Sequence, residues 1–124
     1  MSALHILPTI SSPEVVFSFE ENKLIIKGIC APQYPILFFE PIIEAIEEYQ
    51  KTKSNLTIDI YLDYFNTGSS KCLLNLFSKT AINPDIKINT IVNWIVESGD
   101  SELKEAGEVF QEITGLKFCF LSAN

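Results

Sequence analysis

The most regular hydrophobic pattern in the chain spans residues 56–65 and changes its period near residue 66. The residues assigned to the core face are Leu56, Ile58, Ile60, Leu62 and Tyr64. Those assigned to the opposite face are Thr57, Asp59, Tyr61, Asp63 and Phe65. A period of two predicts a β-strand whose faces meet different environments. From Cys72 to Ala81 the apolar residues recur at helical spacing, and Pro84 ends that run. The pattern therefore predicts a strand that turns almost directly into a helix.

Two further strands and an arm are predicted before this junction. Val15–Phe19 and Leu24–Ile29 flank a turn in which Asn22 is able to adopt the left-handed conformation, so they predict a hairpin with Gly28 closing its second strand. Met1–Pro13 contains apolar residues and two prolines. We expect it to be a loose extended arm that is able to add an edge strand.

The first helix is marked by an apolar stripe and interrupted by a proline. The stripe consists of Phe39, Ile42, Ile43, Ile46 and Tyr49. The segment Cys30–Pro35 is too rich in proline for regular structure, so it is expected to be the loop before the helix. Pro41 leaves two starts open. The helix begins near Pro41, where the missing N–H costs nothing, or an earlier turn from Ile36 is kinked there.

The last part of the chain is predicted to contain two strands and one helix. Ile86–Val96 and Leu116–Leu121 have the composition of strands. Between them, Asp100 or Ser101 is expected to cap a helix that ends at Gly115. The apolar face of the first of these strands consists of Ile88, Val92 and Trp94. The apolar positions of the helix are Leu103, Ala106, Phe110 and Ile113.

The order of these elements is hairpin, helix, strand, helix, strand, helix, strand. Alternating strands and helices predict right-handed crossovers and largely parallel pairing, whereas the hairpin supplies an antiparallel pair. We therefore expect an α/β fold in a single domain over residues 1–124. It has a mixed, mostly parallel sheet with an N-terminal hairpin, and about three helices packed mainly on one face. The alternating strands predict that the other face is more open.

Composition excludes several classes of function. The chain has a formal net charge of −7 and no arginine, so neither a nucleic acid nor an anionic membrane is expected as its partner. His5 is the only histidine and is expected to lie on the surface, which leaves no base for a Ser-His-Asp or Cys-His site. No ligand spacing predicts a metal, and no glycine-rich motif predicts a nucleotide cofactor. We expect a protein that is not an enzyme.

The cysteines and the N-terminal segment bear on location. Cys30, Cys72 and Cys119 are odd in number and form no Cys-x-x-Cys pair, so they predict buried thiols in a reducing compartment. The N-terminus has no basic region followed by a long apolar run, and no segment approaches the roughly 18 apolar residues of a membrane span. We expect a cytoplasmic protein that is a monomer or a weak dimer.

The junction of strand and helix is rich in hydroxyl groups. Asn66 or Thr67 is expected to cap the helix, Gly68 allows the turn, and Ser69 and Ser70 lie in the first helical turn, where backbone N–H groups lack partners. Two interpretations are open. Either these residues only cap and tolerate the helix start, or Thr67 is a phosphorylation switch, because added negative charge is favourable at a helix N-terminus.

The junction and two later elements also resemble a known family. They are the segment Asp63-Tyr64-Phe65-Asn66-Thr67-Gly68-Ser69-Ser70-Lys71, the Trp94 strand, and the helix that contains Glu105-Ala106-Gly107-Glu108. This order of motifs resembles the SiaC-type biofilm-regulating phosphoproteins. Members of that family are similar to the STAS domains of anti-sigma-factor antagonists, so the resemblance implies a STAS-like domain. The position that matches the family's phosphorylated threonine is Thr67.

The resemblance implies a noncatalytic adaptor. A histidine-kinase-like Ser/Thr kinase would phosphorylate it, a PP2C-type phosphatase would reverse the reaction, and the unphosphorylated form would bind and activate a diguanylate cyclase, raising cyclic di-GMP in biofilm signalling. The residues expected to bind the partner are Tyr61, Asp63, Tyr64, Phe65, Asn66, Gly68, Ser69 and Ser70. The alternative is a STAS-like module that binds a nucleotide or an apolar small molecule on the open face of the sheet.

Overall fold

The chain forms six strands and four helices in the computed structural model, which describes residues 3–123. The strands are β1 (Ala3–Ile6), β2 (Glu14–Ser18), β3 (Lys23–Cys30), β4 (Leu56–Phe65), β5 (Thr90–Val96) and β6 (Lys117–Ser122). The helices are α1 (Pro35–Tyr49), α2 (Thr67–Ile82), the short α3 (Pro84–Ile88) and α4 (Ser101–Thr114).

The strands lie in the sheet in the order in which they occur along the chain. β1, β2 and β3 pair in antiparallel fashion, and β3, β4, β5 and β6 pair in parallel. Right-handed crossovers that all step in the same direction place their helices on the same face of a sheet. Accordingly, α1 packs beside α2, and α2 packs beside α4. The predicted α/β class, mixed sheet and N-terminal hairpin are confirmed.

The core lies between the sheet and the helices. Buried side chains in it include Leu24, Ile26, Ile58 and Ile60 from the strands and Phe39, Ile46, Leu73 and Phe77 from the helices. Trp94 is also buried, and its indole N–H donates to the carbonyl oxygen of Leu103 at 2.8 Å. Gly107 allows this approach, because a Cβ atom there would lie 2.6 Å from the indole ring. The Trp94 strand and the helix around Gly107 are therefore joined by direct packing.

The opposite face of the sheet, which we call the open face, is less completely buried. Along β4, buried residues from Leu56 to Leu62 alternate with half-buried ones. At the centre of the open face, Asp59 lies 3.2 Å from the ammonium group of Lys23 and accepts a hydrogen bond from the amide of Asn93 at 2.8 Å. The expected difference between the two faces is confirmed.

The N-terminal segment differs from its prediction. Residues 3–6 form the edge strand β1, so the prediction of a loose arm is wrong for them, whereas the possible edge strand is confirmed. His5 is exposed as predicted, and its Nε2 lies 3.1 Å from a carboxylate oxygen of Glu14. The prediction for Met1 and Ser2 falls outside the described residues. β3 does not end at Gly28 but continues to Cys30, and Gly28 adopts a φ of 120° inside the strand, where the register with β4 shifts.

The first helix begins earlier than either predicted start. α1 starts at Pro35, the last residue assigned to the loop, and continues through Pro41. Proline suits the first turn of a helix, where the backbone N–H has no partner in any case. Pro41 is exposed, so its ring lies in solvent rather than in the core. The second alternative, an earlier start with a proline inside the helix, is nearer to the structure.

The prediction of one strand over Ile86–Val96 is wrong in its first part. Pro84–Ile88 form α3 instead, and β5 begins only at Thr90. The side chain of Asn83 caps α3 by accepting two backbone N–H groups of its first turn. Ile88 is consequently 78% exposed rather than directed into the core.

The last helix follows its prediction except at one apolar position. Asp100 is the N-cap, and Gly115 ends α4 in the left-handed conformation with a φ of 74°. Ile113, predicted to belong to the apolar stripe, is 59% exposed. Thr114 is buried in its place, and its hydroxyl donates to a carbonyl oxygen one helical turn earlier at 2.7 Å.

Candidate functional site

Asn66, not Thr67, caps the helix that follows β4. Its backbone is extended, and its side-chain oxygen accepts the N–H of Ser69 at 2.9 Å. The N–H of Asn66 donates to the carbonyl oxygen of Cys30 at 3.2 Å, while its own carbonyl accepts the N–H of Ser70 at 2.9 Å. These bonds tie the junction to the end of β3, so the start of α2 is held in one position.

Thr67 is the first residue of α2 and is exposed. Since Asn66 already supplies the cap, the Thr67 hydroxyl is not needed for that purpose. The first turn of α2 contains no acidic residue, and the exposed Lys71 follows one turn later. A hydroxyl in this position is accessible to a modifying enzyme, and a negative charge placed on it would meet the positive end of the helix dipole.

An extra residue in β4 exchanges the faces of the last two residues of that strand. Gly28 pairs with Leu62, but the next residue of β3 pairs with Tyr64, so Asp63 is inserted between the two pairs. Tyr64 is therefore 55% exposed, although it was predicted to face the core. Phe65 was predicted on the opposite face, but its ring lies in the helix-side layer.

The rings around Phe65 show how it supports the junction. Its centroid is 6.3 Å from that of Trp94 and 6.3 Å from that of Phe110. Aromatic pairs at this separation add packing energy beyond the area they bury. Phe65 thus anchors the end of β4 from below, and it is less available to a partner than the sequence predicted.

Ser69 and Cys30 form a buried layer beneath the exposed Thr67. Ser69 has no exposed surface, and its hydroxyl oxygen makes no hydrogen bond of ordinary geometry with the residues described. Burial raises the pKa of the Cys30 thiol to about 11, and the neighbouring Ser69 hydroxyl offsets only part of this shift. Cys30 therefore remains a neutral thiol at physiological pH, and Ser69 does not present its side chain to a partner, contrary to the prediction.

The other cysteines are only partly buried. Cys30, Cys72 and Cys119 are all free thiols, of which Cys30 alone is fully buried. Burial also raises the pKa of the Cys72 thiol. The prediction of buried thiols is therefore confirmed for Cys30 and is wrong for Cys72 and Cys119.

Tyr61 lies on the open face, before the inserted residue. Its hydroxyl donates to a carboxylate oxygen of Glu97 at 3.3 Å, and the ammonium group of Lys27 lies 5.6 Å from its ring centroid. Burial and then the Glu97 carboxylate raise the pKa of Tyr61. Tyr61 and the exposed Asp63 therefore belong to the flank of the site on the open face, whereas Thr67 and Gly68 form its tip.

Three exposed apolar residues beside the junction were missed by the sequence analysis. Tyr34, Ile36 and Leu37 are 63%, 76% and 65% exposed at the start of α1. They adjoin the tip of the site, because a Cβ atom on Gly68 would lie 2.9 Å from the ring of Pro35. The signal was the unbroken apolar run over residues 35–39, since a single helix face is not able to bury them all.

Neither a metal-binding cluster nor a membrane-spanning helix is found among the described residues. Between residues 3 and 123, no group of three or more His, Cys, Asp or Glu side chains is placed to hold a metal ion. Over the same residues, no helix has the length and apolar character that crossing a membrane requires.

Comparison with known proteins gives a consistent result. A model of the SiaC family of regulatory phosphoproteins matches residues 6–123. The chain is similar to one in the crystal structure of the diguanylate cyclase SiaD in complex with its activator SiaC from Pseudomonas aeruginosa, with 22% identity, a TM-score of 0.88, and coverage of 96% of this chain and 98% of the other.

Two further solved structures are similar over the whole fold. Apo-SiaC from Pseudomonas aeruginosa is 23% identical with a TM-score of 0.81, and 98% of this chain and 100% of that chain are covered. A second structure of SiaC of Pseudomonas aeruginosa is 24% identical with a TM-score of 0.84, and the two coverages are 98% and 99%. A search of curated protein sequences gave no match. At these identities the structural similarities establish the fold.

Proposed function

Because the chain belongs to the SiaC family of regulatory phosphoproteins, we propose that Thr67 is its phosphorylation site and that the phosphate controls binding of a partner protein. The observation that carries the proposal is an exposed hydroxyl on the first residue of a helix whose cap is neutral. Exposed apolar side chains lie close to this helix start: Tyr64 precedes it on β4, and Ile36 follows Pro35, whose ring would lie 2.9 Å from a Cβ atom on Gly68. A phosphate on Thr67 would therefore stand inside a surface suited to protein contact.

The charge balance predicts that recognition, rather than folding, responds to the phosphate. A phosphate adds about −1.5 to −2 charges, and its interaction with an exposed helix N-terminus is worth about 0.3 to 1 kcal/mol. The exposed carboxylate of Asp63 opposes part of this gain. A partner that covers the dianion without a basic group loses several kcal/mol, roughly 3 or more, because the charge is desolvated. The fold thus changes little and the complex is weakened strongly.

The partner that we propose is a diguanylate cyclase. SiaC of Pseudomonas aeruginosa is the activator of the cyclase SiaD in the complex to which this fold is similar. In the unphosphorylated state, the present chain binds and activates a cyclase and so raises cyclic di-GMP. The protein itself is noncatalytic and cytoplasmic, a histidine-kinase-like Ser/Thr kinase adds the phosphate, and a PP2C-type phosphatase removes it.

The contact surface that we propose differs from the predicted one in two ways: it loses two residues of the β4–α2 junction and gains three at the start of α1. From the predicted set it keeps Tyr61, Asp63, Tyr64, Asn66, Gly68 and Ser70, together with Thr67. Phe65 and Ser69 support this surface from beneath. The start of α1 extends it through Tyr34, Ile36 and Leu37.

The assignment of Thr67 is tested with the kinase of this class from the same organism. The protein is incubated with kinase and ATP, digested, and sequenced by tandem mass spectrometry. We expect a single phosphate on Thr67, none on Thr67→Ala, and normal modification of Ser70→Ala, which keeps the neighbouring hydroxyls. Phosphate found only on Ser70 or elsewhere, with Thr67→Ala modified as well as the wild type, would remove the proposal.

A further inference from the structure

The turn between β1 and β2 displays two apolar side chains to solvent. It spans residues 7–13, and we call it the Ile10 turn. Ile10 at its apex is 94% exposed, and Leu7 at its base is 70% exposed. The apex of a tight turn usually carries glycine or a small polar residue, which suits both the backbone and the solvent. The turn itself therefore gives no reason for an isoleucine at this position.

Hydrogen bonds hold the Ile10 turn in one conformation. The backbone N–H of Thr9 donates to the carbonyl oxygen of Ser12 at 3.0 Å. The Thr9 hydroxyl oxygen accepts the backbone N–H groups of Ser11 and Ser12 at 3.2 and 3.0 Å and lies 2.6 Å from the Ser12 hydroxyl oxygen. Because these bonds order the backbone in the free protein, a partner that covers Ile10 loses little affinity to the ordering of the turn.

The Ile10 turn and the Thr67 junction are attached to the same peptide group. The carbonyl oxygen of Ser11 accepts the N–H of Ala31 at 2.7 Å, and the carbonyl oxygen of Cys30 accepts the N–H of Asn66 at 3.2 Å. The N–H and C=O of the trans peptide between Cys30 and Ala31 point in opposite directions. Neighbouring hydrogen-bonded segments lie roughly 5 Å apart, so the backbones of Ser11 and Asn66 are separated by roughly 10 Å.

This separation is small compared with a protein interface. An interface of ordinary size buries about 800 Å² on each partner, which is a patch roughly 30 Å across. The exposed residues at the start of α1, which are Tyr34, Ile36 and Leu37, follow the shared peptide group within the same patch. A partner centred on the Thr67 junction is therefore large enough to cover Ile10 as well.

Charge bears on the kind of partner that fits the Ile10 turn. None of residues 7–13 is ionisable, so the turn suits an apolar pocket rather than a polyanion or a lipid headgroup. A second copy of the chain is disfavoured, because both copies carry a formal charge of −7 and repel each other. A kinase needs only brief access to one hydroxyl, whereas a regulated partner needs a stable interface with buried apolar anchors. These observations favour the regulated partner.

We propose that Ile10 is an anchor residue of the partner interface and fills an apolar pocket on the diguanylate cyclase whose binding Thr67 controls. The inference rests on the proposed function, because the partner is the same protein. Ile10 determines how tightly the unphosphorylated protein binds, and the phosphate on Thr67 determines whether the complex forms. Affinity and regulation then belong to two elements of one surface.

The test compares two exposed isoleucines at opposite ends of the parallel strands. Ile88 is 78% exposed in α3, which precedes the amino end of β5. Unphosphorylated Ile10→Ser and Ile88→Ser are titrated by calorimetry with the diguanylate cyclase of the same organism. We expect Ile10→Ser to weaken binding about tenfold or more, because burial of the isoleucine is lost, and Ile88→Ser to change it less than about twofold. Equal affinity of Ile10→Ser and the wild type would overturn the proposal.

Two controls exclude other roles of the Ile10 turn. Ile10→Ser is expected to unfold at the wild-type urea concentration, since the side chain lies in solvent, and to be phosphorylated at the wild-type rate. Phosphorylation that is at least about tenfold slower, with unchanged cyclase affinity, would assign the turn to the kinase and overturn the proposal. So would a wild-type dimer in sedimentation that Ile10→Ser dissociates.

The outcomes separate this inference from the proposed function. Unchanged cyclase binding by Ile10→Ser, with Thr67 still phosphorylated by the kinase, removes only this inference. Phosphate found elsewhere, with the loss of affinity in Ile10→Ser intact, removes only the assignment of Thr67. Failure of the wild-type protein to bind the cyclase removes both.

Discussion

The starts of α2 and α4 lie at the same edge of the sheet and differ mainly in charge. Each helix follows the carboxyl end of a parallel strand, β4 or β5, and each begins with an exposed hydroxyl residue, Thr67 or Ser101. At α4 the cap is Asp100, whose carboxylate accepts the N–H of the third helical residue at 3.1 Å, and Glu102 follows in the first turn. At α2 the cap is neutral and the first turn has no acidic residue.

This difference shows that a hydroxyl at a helix start does not by itself make a switch. The positive end of a helix dipole favours a negative charge nearby. At α4 two carboxylates already fulfil that role, so a phosphate on Ser101 would meet like charges. The first turn of α2 contains no carboxylate, so a phosphate on Thr67 would be the first negative charge in that turn.

The two regions also differ in how they are packed. The α4 region contributes to the core, since Trp94 is held between the carbonyl of Leu103 and the surface of Gly107. The start of α2 is supported by the partly buried Phe65 and the buried Cys30 but leaves its outer surface open. We therefore expect substitutions near α4 to change stability and substitutions at the start of α2 to change recognition.

The largest stability difference is expected between two glycine substitutions. In Gly107→Ala the new Cβ would lie 2.6 Å from a rigid indole ring; overpacking of this kind costs about 2 kcal/mol. In Gly68→Ala the nearest atom is the Pro35 Cγ at 2.9 Å; the proline ring is able to pucker, and the gain in helix propensity, up to about 1 kcal/mol, offsets the contact. Urea unfolding compares the two variants. A larger loss for Gly68→Ala would reverse the comparison.

The next effect concerns the caps. Asn66→Ala and Asp100→Ala are each expected to lower the free energy of unfolding by about 1 kcal/mol, because each leaves a backbone N–H without its acceptor. Only the Asp100 effect should shrink in high salt, since its carboxylate also interacts with the helix dipole and that part is screened. Urea unfolding at low and high salt measures both. The same salt dependence for the two caps would mean that charge does not distinguish the two helix starts.

The smallest effect is the response of each helix start to one added carboxylate. Thr67→Glu is expected to raise the free energy of unfolding by about 0.3 to 1 kcal/mol, whereas Ser101→Glu adds no more than a few tenths, roughly 0.3, because it meets Asp100 and Glu102. Thermal unfolding at low salt compares the two variants. Equal stabilisation would show that the existing carboxylates at α4 leave its dipole uncompensated.

Much of this arrangement is predictable from periodicity. The β4–α2 junction, the end of α4 at Gly115 and the mixed sheet follow from apolar spacing and from residues that favour helix ends, and the predicted family is confirmed by the match over residues 6–123. Such signals are local, so one chain segment is enough to reveal them.

The errors arose where a distant contact or a single inserted residue decides the structure. The insertion at Asp63 depends on pairing with β3 and exchanges the faces of Tyr64 and Phe65. Ser69 lies in a polar segment typical of a surface loop, but it packs against Cys30, which is distant in the sequence. At residues 84–88, the cap from Asn83 and a proline in the first turn outweigh the β-branched residues that predicted a strand.

The measurement that tests the central claim most directly is calorimetric binding of the phosphorylated and unphosphorylated protein to the diguanylate cyclase of the same organism. Kinase-treated Thr67→Ala serves as the control, because it has met the kinase but has no acceptor at this position. We expect phosphorylation to weaken binding at least about 100-fold, which corresponds to roughly 3 kcal/mol, and kinase-treated Thr67→Ala to bind as the unmodified protein does. Equal affinity of the phosphorylated and unphosphorylated forms would contradict the account.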